Sequence, residues 1–168
     1  MSQLDLILHS TRQRVAHAKQ RTSLTSLEKL AAEHTPRGFR HAIAHRSVRE
    51  PAIIAEMKKA SPSRGIIREP FHPAPLAREL AAAGATCLSV LTEPEFFQGG
   101  LGNLEIASSE TRLPCLRKDF ILDEFQIVEA RAHRADAILL IVAALSDRDL
   151  RELYAASKRC GLDALCEV

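Results

Sequence analysis

The sequence predicts an α/β fold in which helices cover a parallel β-sheet. From residue 53 onward, short apolar runs alternate with stretches of helical character. Alternation of this kind is typical of βα units, whose strands pair in parallel. The runs are apolar on both faces, as strands buried between two layers must be. Five strands are predicted, at residues 53–57, 87–91, 114–116, 137–142 and 164–168.

The segments between these runs carry helix start and stop signals. Residues 76–83 are rich in alanine and end at Gly84, a residue type that commonly follows a helix C-terminus. Asp123 is a favourable N-cap for a helix that runs to about residue 133. Ser146 begins a further helix, which Gly161 ends.

Two architectures fit this pattern, an open doubly wound sheet and part of a (β/α)8 barrel. A complete barrel has eight strands in about 250 residues. This sequence has 168 residues and shows five strands. We divide it into a basic N-terminal helical extension at residues 1–48, with a helix at 24–33, and a sheet-bearing domain at residues 49–168.

The composition excludes several classes of protein. The chain is 46% hydrophobic and 26% charged, which is enough apolar content for a substantial core. Its net charge is +2 and its basic residues are mixed with acidic ones, so no nucleic-acid partner is expected. No segment has the pattern of a signal peptide or a transmembrane helix. We therefore expect a soluble, cytoplasmic protein without a membrane partner.

Cysteine and histidine spacing indicates neither disulfides nor a metal site. The four cysteines form no CxxC pair and mostly lie in apolar runs, which favours buried, reduced thiols. The seven histidines show no HxH or HExxH spacing. No metal is therefore expected.

The first predicted strand ends in charged residues where a core strand should be apolar. Glu56 and Lys58 lie two residues apart, so both point to the same face of the strand. A Ser-Pro-Ser-Arg-Gly turn follows at residues 61–65. Taken alone, this feature is equally well explained by an ion pair at a strand end. In a barrel, the same position is the catalytic mouth.

Charged strand ends recur on alternate strands. Lys118 closes the third strand and Glu167 the fifth. Alternate strands of a barrel contribute side chains to one layer, so two lysines and two carboxylates are predicted to converge on one cavity. Such a set suits acid–base chemistry. A lysine placed there can also hold a substrate anion or form a Schiff base, and the residues leave these uses open.

The second predicted strand is followed by a loop with two adjacent aromatic residues, Phe96 and Phe97, and the glycine pair Gly99-Gly100. The chain contains only six phenylalanines and one tyrosine. The two rings either pack the loop against the protein or line an aromatic substrate pocket, and spacing alone does not decide between these uses.

Together these stretches resemble the indole-3-glycerol-phosphate synthase family. The resemblance rests on "IAEMKKASPSRGIIR", "CLSVLTEPEFFQGGL", "LPCLRKDFILDEFQIVEARAHRADAILLIVAAL" and "GLDALCEV". It covers residues 53–168 in order and spacing, and more loosely the N-terminal extension. It implies a (β/α)8 barrel, of which this chain has about five strands. It also implies a carboxy-lyase of tryptophan biosynthesis, which closes the ring of 1-(2-carboxyphenylamino)-1-deoxyribulose 5-phosphate with loss of CO₂ and water.

The resemblance also implies roles for the four charged residues. Lys118 matches the general acid that assists attack of the aromatic carbon on the sugar carbonyl. Lys58 matches a lysine that contacts the anionic groups of the substrate and can also donate a proton. Glu167 matches the carboxylate that transfers protons during decarboxylation and dehydration, and Glu56 matches the acid that orients the lysines.

The substrate pocket implied by the resemblance includes three further residues. Ser61 matches the first serine of the family's S-P-S turn, which borders the substrate. Phe97 and Phe120 match aromatic residues near the anthranilate ring. The implied partner is the small phosphorylated anthranilate–ribulose substrate, and no metal or organic cofactor is implied.

The sequence departs from the family at two places. Arg134 stands where the family usually has glycine before the fourth strand, which is expected to weaken a helix C-cap. After Glu167-Val168 the family continues through three more strands that carry further catalytic and phosphate-binding groups. We therefore expect a truncated, open barrel that is inactive alone and active only with a completing C-terminal half.

Two alternatives remain. One is a non-catalytic fragment or interaction remnant of the same barrel, which self-associates through its open sheet edges. The other is a different phosphate-sugar barrel, which the combination of the K-x-S-P-S and L-R-K-D-F-I motifs disfavours.

Overall fold

A computed structural model describes residues 2–48 and 50–168 of the chain. The described helices are α1 (Gln3–Arg21), α2 (Leu24–Ala32), α3 (Phe39–Ser47), α4 (Pro73–Ala82), α5 (Leu101–Glu110), α6 (Glu124–Ala132) and α7 (Asp147–Arg159). The described strands are β1 (Ile54–Met57), β2 (Ala60–Ser61), β3 (Gly65–Ile66), β4 (Cys87–Leu91), β5 (Cys115–Lys118), β6 (Ala137–Ile141) and β7 (Asp163–Glu167).

The main sheet has five parallel strands in the order β1-β4-β5-β6-β7, which is also their order along the chain. A doubly wound sheet reverses its strand order at a switch point. This sheet does not reverse, so its strands form a wall of a barrel, which confirms the predicted fold class. The strands β2 and β3 form a separate antiparallel hairpin directly after β1.

The outward face of the sheet carries the larger part of the core. Helices α4 to α7 cover this face, because each βα unit returns its helix to the same side. The strand residues on this face pack against apolar residues of the helices in one buried cluster. Its members include Met57, Ala77, Leu88, Val90, Leu104, Ile127, Ile138, Leu140 and Leu153.

The inward face is apolar only near the amino ends of the strands. There, Cys87, Leu116 and Ala137 pack against Phe39 of α3, whose side chain is buried. Helix α3 therefore closes the amino end of the inward face. The carboxyl end of the same face is left open.

A buried carboxylate fastens the chain between α2 and α3 to the amino end of the sheet. Asp136 accepts hydrogen bonds from Arg37 Nη2 at 2.6 Å and from the Cys115 backbone N–H at 2.6 Å, and its Oδ1 lies 3.1 Å from His34 Nε2. Burial opposes ionisation of Asp136, but these hydrogen bonds outweigh burial and lower its pKa below the ordinary value. Arg37 also donates to the backbone oxygens of Ser108 and Thr111.

Most of the predicted elements are confirmed. Asp123 and Ser146 cap α6 and α7 through their side chains, as predicted. The third strand begins and ends later than predicted, at Cys115–Lys118, and so includes Arg117 and Lys118. The hairpin was not predicted, because strands of two residues are too short to show a period of two.

The proposed division into residues 1–48 and 49–168 stays a prediction. Residues 1 and 49 lie outside the described residues. The sheet begins at Ile54, and α1 to α3 precede it. Among the helices that the structure describes, none has the length and apolar character needed to cross a membrane.

The cysteines differ in part from expectation. All four are free. Cys87 and Cys115 are buried as predicted, whereas Cys160 is half-buried and Cys166 is exposed. Burial raises the pKa of both the Cys87 and the Cys115 thiol to about 12.

Candidate active site

A cleft of about 360 Å³ opens on the inward face of the sheet, at the carboxyl ends of its strands. Charged side chains, two phenylalanines and apolar residues line it. They include Leu4, Glu56, Lys58, Leu91, Phe97, Lys118, Phe120, Leu139, Ile141 and Glu167. Six of the seven residues predicted for the site, all except Ser61, therefore lie around one cavity.

The four charged residues form a continuous row across the sheet. The Lys58 ammonium donates to one oxygen of Glu56. Lys118 Nζ lies 3.9 Å from the other oxygen of Glu56 and 3.2 Å from Glu167 Oε2. We call Lys58, Glu56, Lys118 and Glu167 the charged row. About a third of each of the first three side chains, and half of Glu167, is exposed to the cleft.

Barrel geometry explains why residues on three strands meet. Glu56 is in register with Ser89, and Ser89 with Leu116, so Lys118 lies two residues further along β5 than Glu56 does along β1. Extending the β5–β6 pairing places Lys118 level with Leu139, which pairs with Leu165, so Glu167 is again two residues further. A (β/α)8 barrel of shear 8 shifts about one residue per strand. The shift therefore keeps these side chains at one level of the tilted wall.

Two aromatic rings stand beside the charged row. The ring centroids of Phe97 and Phe120 are 6.3 Å apart, with an angle of 40° between the ring planes. Both rings are half-buried and border the cleft. We call Phe97 and Phe120 the aromatic clamp. Of the two uses that the sequence left open for Phe97, this position favours the lining of a pocket.

The loop that carries Phe97 is held by a buried carboxylate. Glu93 accepts hydrogen bonds from the backbone N–H groups of Glu95, Phe96 and Phe97, at 3.1, 2.6 and 3.1 Å. At the end of the loop, a Cβ atom on Gly99 would clash with the carbonyl oxygen of Leu91, so only glycine fits there. The loop therefore has little freedom to move Phe97.

Ser61 lies beside this cleft rather than in it. It belongs to the β2–β3 hairpin and lines an adjoining groove of about 720 Å³, which shares Leu4, Lys58 and Phe97 with the cleft. The Ala60 backbone N–H donates to the Phe97 carbonyl oxygen at 3.3 Å. The hairpin and the aromatic loop are thus joined along one edge of the mouth.

Helix α1 lies across the carboxyl end of the sheet. Its first turn supplies Leu4 to both cavities. Further along α1, Ser10 donates to Glu95, Arg14 to Asp119, and Lys19 to Asp123. These contacts are spread along the length of the helix and connect it to the loops that follow β4 and β5.

Asp119, like Asp136 and Glu93, is a carboxylate that is almost completely buried. It accepts from Arg14 Nη2 at 2.9 Å, from Arg117 Nη2 at 3.1 Å and from Thr92 Oγ1 at 2.8 Å. Burial opposes its ionisation, but the positive charges of Arg117 and Arg14 outweigh burial and hold the pKa of Asp119 below its ordinary value. Asp119 directly follows Lys118, the last residue of β5, so these contacts hold the backbone next to Lys118 in place.

The sequence analysis missed Asp119, Glu93 and Arg14. Asp119 and Arg117 flank Lys118 in the motif "LRKDF", so both are expected on the face of the strand opposite to Lys118. This alternation could have indicated a buried charged pair. Glu93 directly follows the buried residues Leu91 and Thr92, which is a weaker signal. Arg14 shows none, because its partner Asp119 lies 105 residues away.

A larger cavity, of about 760 Å³, lies between α1, α2, α6 and α7 on the outer side of the sheet. Its charged residues other than Glu28 have polar or charged partners. Lys19 pairs with Asp123 at 2.5 Å, and Arg159 pairs with Glu124 at 3.1 Å. These pairs lie on the outer side of the sheet and not at the carboxyl ends of its strands, so the charged row is the better candidate for chemistry.

A wall of parallel βα units, with acids and bases at the carboxyl ends of alternate strands, is the arrangement of (β/α)8-barrel enzymes. The sequence pattern of the family described as "Indole-3-glycerol phosphate synthase" matches residues 4–168. The chain belongs to this family.

A curated relative from Koribacter versatilis (strain Ellin345), called "Indole-3-glycerol phosphate synthase", is 60% identical over 167 residues. The match covers 99% of this chain and 64% of the relative. The chain thus spans less than two thirds of the length of this relative.

Proposed function

We propose that this chain supplies the first five strands, and with them the central acid–base groups, of an indole-3-glycerol-phosphate synthase. The reaction closes the indole ring of 1-(2-carboxyphenylamino)-1-deoxyribulose 5-phosphate and releases CO₂ and water. The observation that carries this proposal is the charged row beside the aromatic clamp at the carboxyl end of a barrel wall. Membership of the family supports it.

Lys118 is proposed as the general acid. Its ammonium lies between the carboxylates of Glu56 and Glu167, at 3.9 and 3.2 Å. It would donate a proton to the sugar carbonyl oxygen while the ring carbon attacks the carbonyl carbon. Loss of CO₂ then returns an electron pair to the ring. The new hydroxyl would then leave as water with a proton donated by Lys58, while Glu167 accepts a proton from the neighbouring ring carbon, which forms the double bond of the indole.

The remaining residues are proposed to bind and orient the substrate. Lys58 lies where the cleft meets the adjoining groove, so one ammonium can contact an anionic group in either. Glu56 is bound to Lys58 and near Lys118, which suits a role in orienting both lysines. The aromatic clamp would contact the anthranilate ring, and Ser61 would border the substrate from the hairpin.

Completion of the sheet is part of this proposal. In the described sheet, β1 and β7 each have a neighbour on one side only. The backbone groups on their other sides can pair with further strands. We propose that a completing C-terminal half pairs with these edges in the active protein, which we expect in the cytoplasm, and that the isolated 168-residue chain lacks appreciable activity.

The open edges also favour a second candidate, a non-catalytic module that self-associates through β1 and β7. Unpaired strand edges are templates for pairing with another copy. Light scattering coupled to size-exclusion chromatography tests this second candidate, because a self-associating module should form a stable oligomer as the isolated chain. A monomeric chain would contradict it.

The decisive test uses a chimera that joins this chain to the part of the Koribacter versatilis relative outside the match. We expect the chimera to form indole-3-glycerol phosphate and the isolated chain not to. Lys118→Ala should reduce turnover by the chimera on the order of 10²–10⁴-fold, because a general acid contributes that much. The matched control is Lys29→Ala, at an exposed lysine of α2.

Retention of turnover by Lys118→Ala would contradict the role of Lys118. A folded chimera that never forms the product would contradict the proposed activity itself. Turnover by the isolated chain would contradict the need for a completing half.

A further inference from the structure

Two buried acids hold the aromatic clamp, one for each ring. Asp119 Oδ1 accepts the backbone N–H of Phe120 at 2.9 Å. Glu93 Oε2 accepts the backbone N–H of Phe97 at 3.1 Å. Both acids are almost completely buried, with 2% and 1% of their surface exposed. Each acid therefore fixes the chain at the residue whose ring borders the cleft.

A buried carboxylate needs a nearby cation, and Arg14 of α1 supplies one to Asp119. It binds Asp119 through Nη2 at 2.9 Å and Nη1 at 3.3 Å. Burial favours the neutral form of Arg14, yet the charges of Asp119 and then Glu93 raise its pKa above the ordinary value. Arg117 also binds Asp119, but it is shared with Glu129 at 2.9 Å.

We propose that Arg14 is a positioning residue for the aromatic clamp. From helix α1, its guanidinium stabilises Asp119, which holds Phe120, and so maintains the distance between the Phe120 and Phe97 rings. Its consequence for substrate rests on the proposed function: the ring distance would set how a planar aromatic group fits beside the charged row.

A role limited to anchoring α1 fits the contacts less well. Ser10 and Lys19 also fasten α1, to Glu95 and Asp123, so the helix has anchors on either side of Arg14. Arg14 Nε is also buried without a hydrogen-bond partner.

The test is fluorine NMR of the full 168-residue chain labelled with fluorophenylalanine. The chain has six phenylalanines, and Phe97→Leu and Phe120→Leu assign the two clamp resonances. Phe39, at the amino end of the sheet, and Phe71, before α4, serve as internal references. In Arg14→Met, we expect both clamp resonances to shift by more than their linewidth or to broaden, while the references stay unchanged.

Arg12→Met is the matched control, because Arg12 lies on the exposed side of the same helix. It should leave all six resonances unchanged. Clamp resonances in a folded Arg14→Met chain that match those of the parent would overturn the proposal. If Arg14→Met does not fold, Arg14→Lys decides. That variant keeps the charge but not the paired contact, so a shift of the clamp resonances supports the proposal and no shift overturns it.

This readout does not depend on turnover. In the chimera, Arg14→Met should raise KM by a larger factor than it lowers kcat, because a displaced clamp weakens binding of the aromatic ring. If the chimera is inactive, the proposed function fails, and the fluorine spectra still decide the role of Arg14.

Discussion

At each end of the sheet, a fully buried aspartate is neutralised by an arginine from the helical segment before β1. At the amino end, Asp136 binds Arg37 at 2.6 Å, and at the carboxyl end, Asp119 binds Arg14 at 2.9 Å. In both cases burial opposes ionisation but is outweighed, at Asp136 by hydrogen bonds from His34 and then Arg37, and at Asp119 by the charges of Arg117 and then Arg14, so both pKa values are lowered. The same electrostatic arrangement thus attaches the N-terminal helices at two opposite places.

The surroundings of the two carboxylates differ. Asp136 lies next to the apolar layer closed by Phe39, and Arg37 also satisfies backbone carbonyls, so that cluster connects only structural elements. Asp119 follows Lys118 and holds Phe120 at the edge of the cleft. In barrels, the amino end generally serves stability and the carboxyl end serves catalysis. We therefore expect the amino-end pair to matter for unfolding and the carboxyl-end pair for the site.

The largest effect is expected at the amino end. Asp136→Asn should lower the free energy of unfolding by about 3–5 kcal/mol, because it leaves the partly buried Arg37 without its counter-charge. Urea unfolding followed by circular dichroism measures this change. Asp147→Asn, at an exposed aspartate of α7, is the control and should change stability by less than about 1 kcal/mol.

Asp119→Asn should destabilise less, by about 1–3 kcal/mol. Arg14 is 29% exposed and can reach water, and Arg117 keeps Glu129 and the Gln126 carbonyl oxygen. The clamp resonances should nevertheless shift in Asp119→Asn and not in Asp136→Asn. Equal destabilisation with unshifted clamp resonances in both variants would remove the distinction between the two ends.

The pH dependence of stability tests the same two pairs through their ionisation. A carboxylate with a lowered folded-state pKa stabilises the protein above its ordinary pKa, and this stability is lost as pH falls through the folded-state value. We expect the free energy of unfolding to decrease as pH falls below about 4, the ordinary range for aspartate. The slope of the unfolding free energy against pH should be smaller in Asp136→Asn and in Asp119→Asn. In each variant, the difference should correspond to the uptake of at most one proton on unfolding.

An unchanged slope in Asp136→Asn would show that its pKa is not lowered by folding. The corresponding unfolding series in Asp119→Asn then tells whether the two ends share this behaviour.

The strands and the charged row were predictable because their signals are local. Apolar runs mark the strands, and the spacing of Glu56 and Lys58 places both on one face. The two arginine–aspartate pairs were not predictable, because Arg37 and Asp136 lie 99 residues apart and no periodicity links them. The role of such an aspartate also depends on whether it is buried. The motif "RKD" does not show this, because its sequence is the same whether Asp119 is exposed to water or enclosed.

The smallest effect is expected at the residue that follows α6 on the amino-end side. Arg134 has φ of 68°, a left-handed conformation that is unfavourable for residues with a side chain. At the matching positions after α4 and α7, the chain has Gly84 and Gly161, with φ of 92° and 69°. Arg134→Gly should therefore raise the free energy of unfolding by about 0.5–1 kcal/mol, after the greater freedom of glycine in the unfolded chain is deducted.

Gly84→Ala is the mirror-image control for this change. A Cβ atom at Gly84 would meet no atom within 4 Å, so only the strained φ opposes alanine, and stability should fall by about 1 kcal/mol. The Arg134 side chain is exposed, and its backbone oxygen keeps the hydrogen bond from Ser108 in the glycine variant. A destabilised Arg134→Gly chain would mean that the arginine side chain contributes to the amino end after all. Neither variant should move the clamp resonances, because both positions lie at the opposite end of the sheet from the cleft.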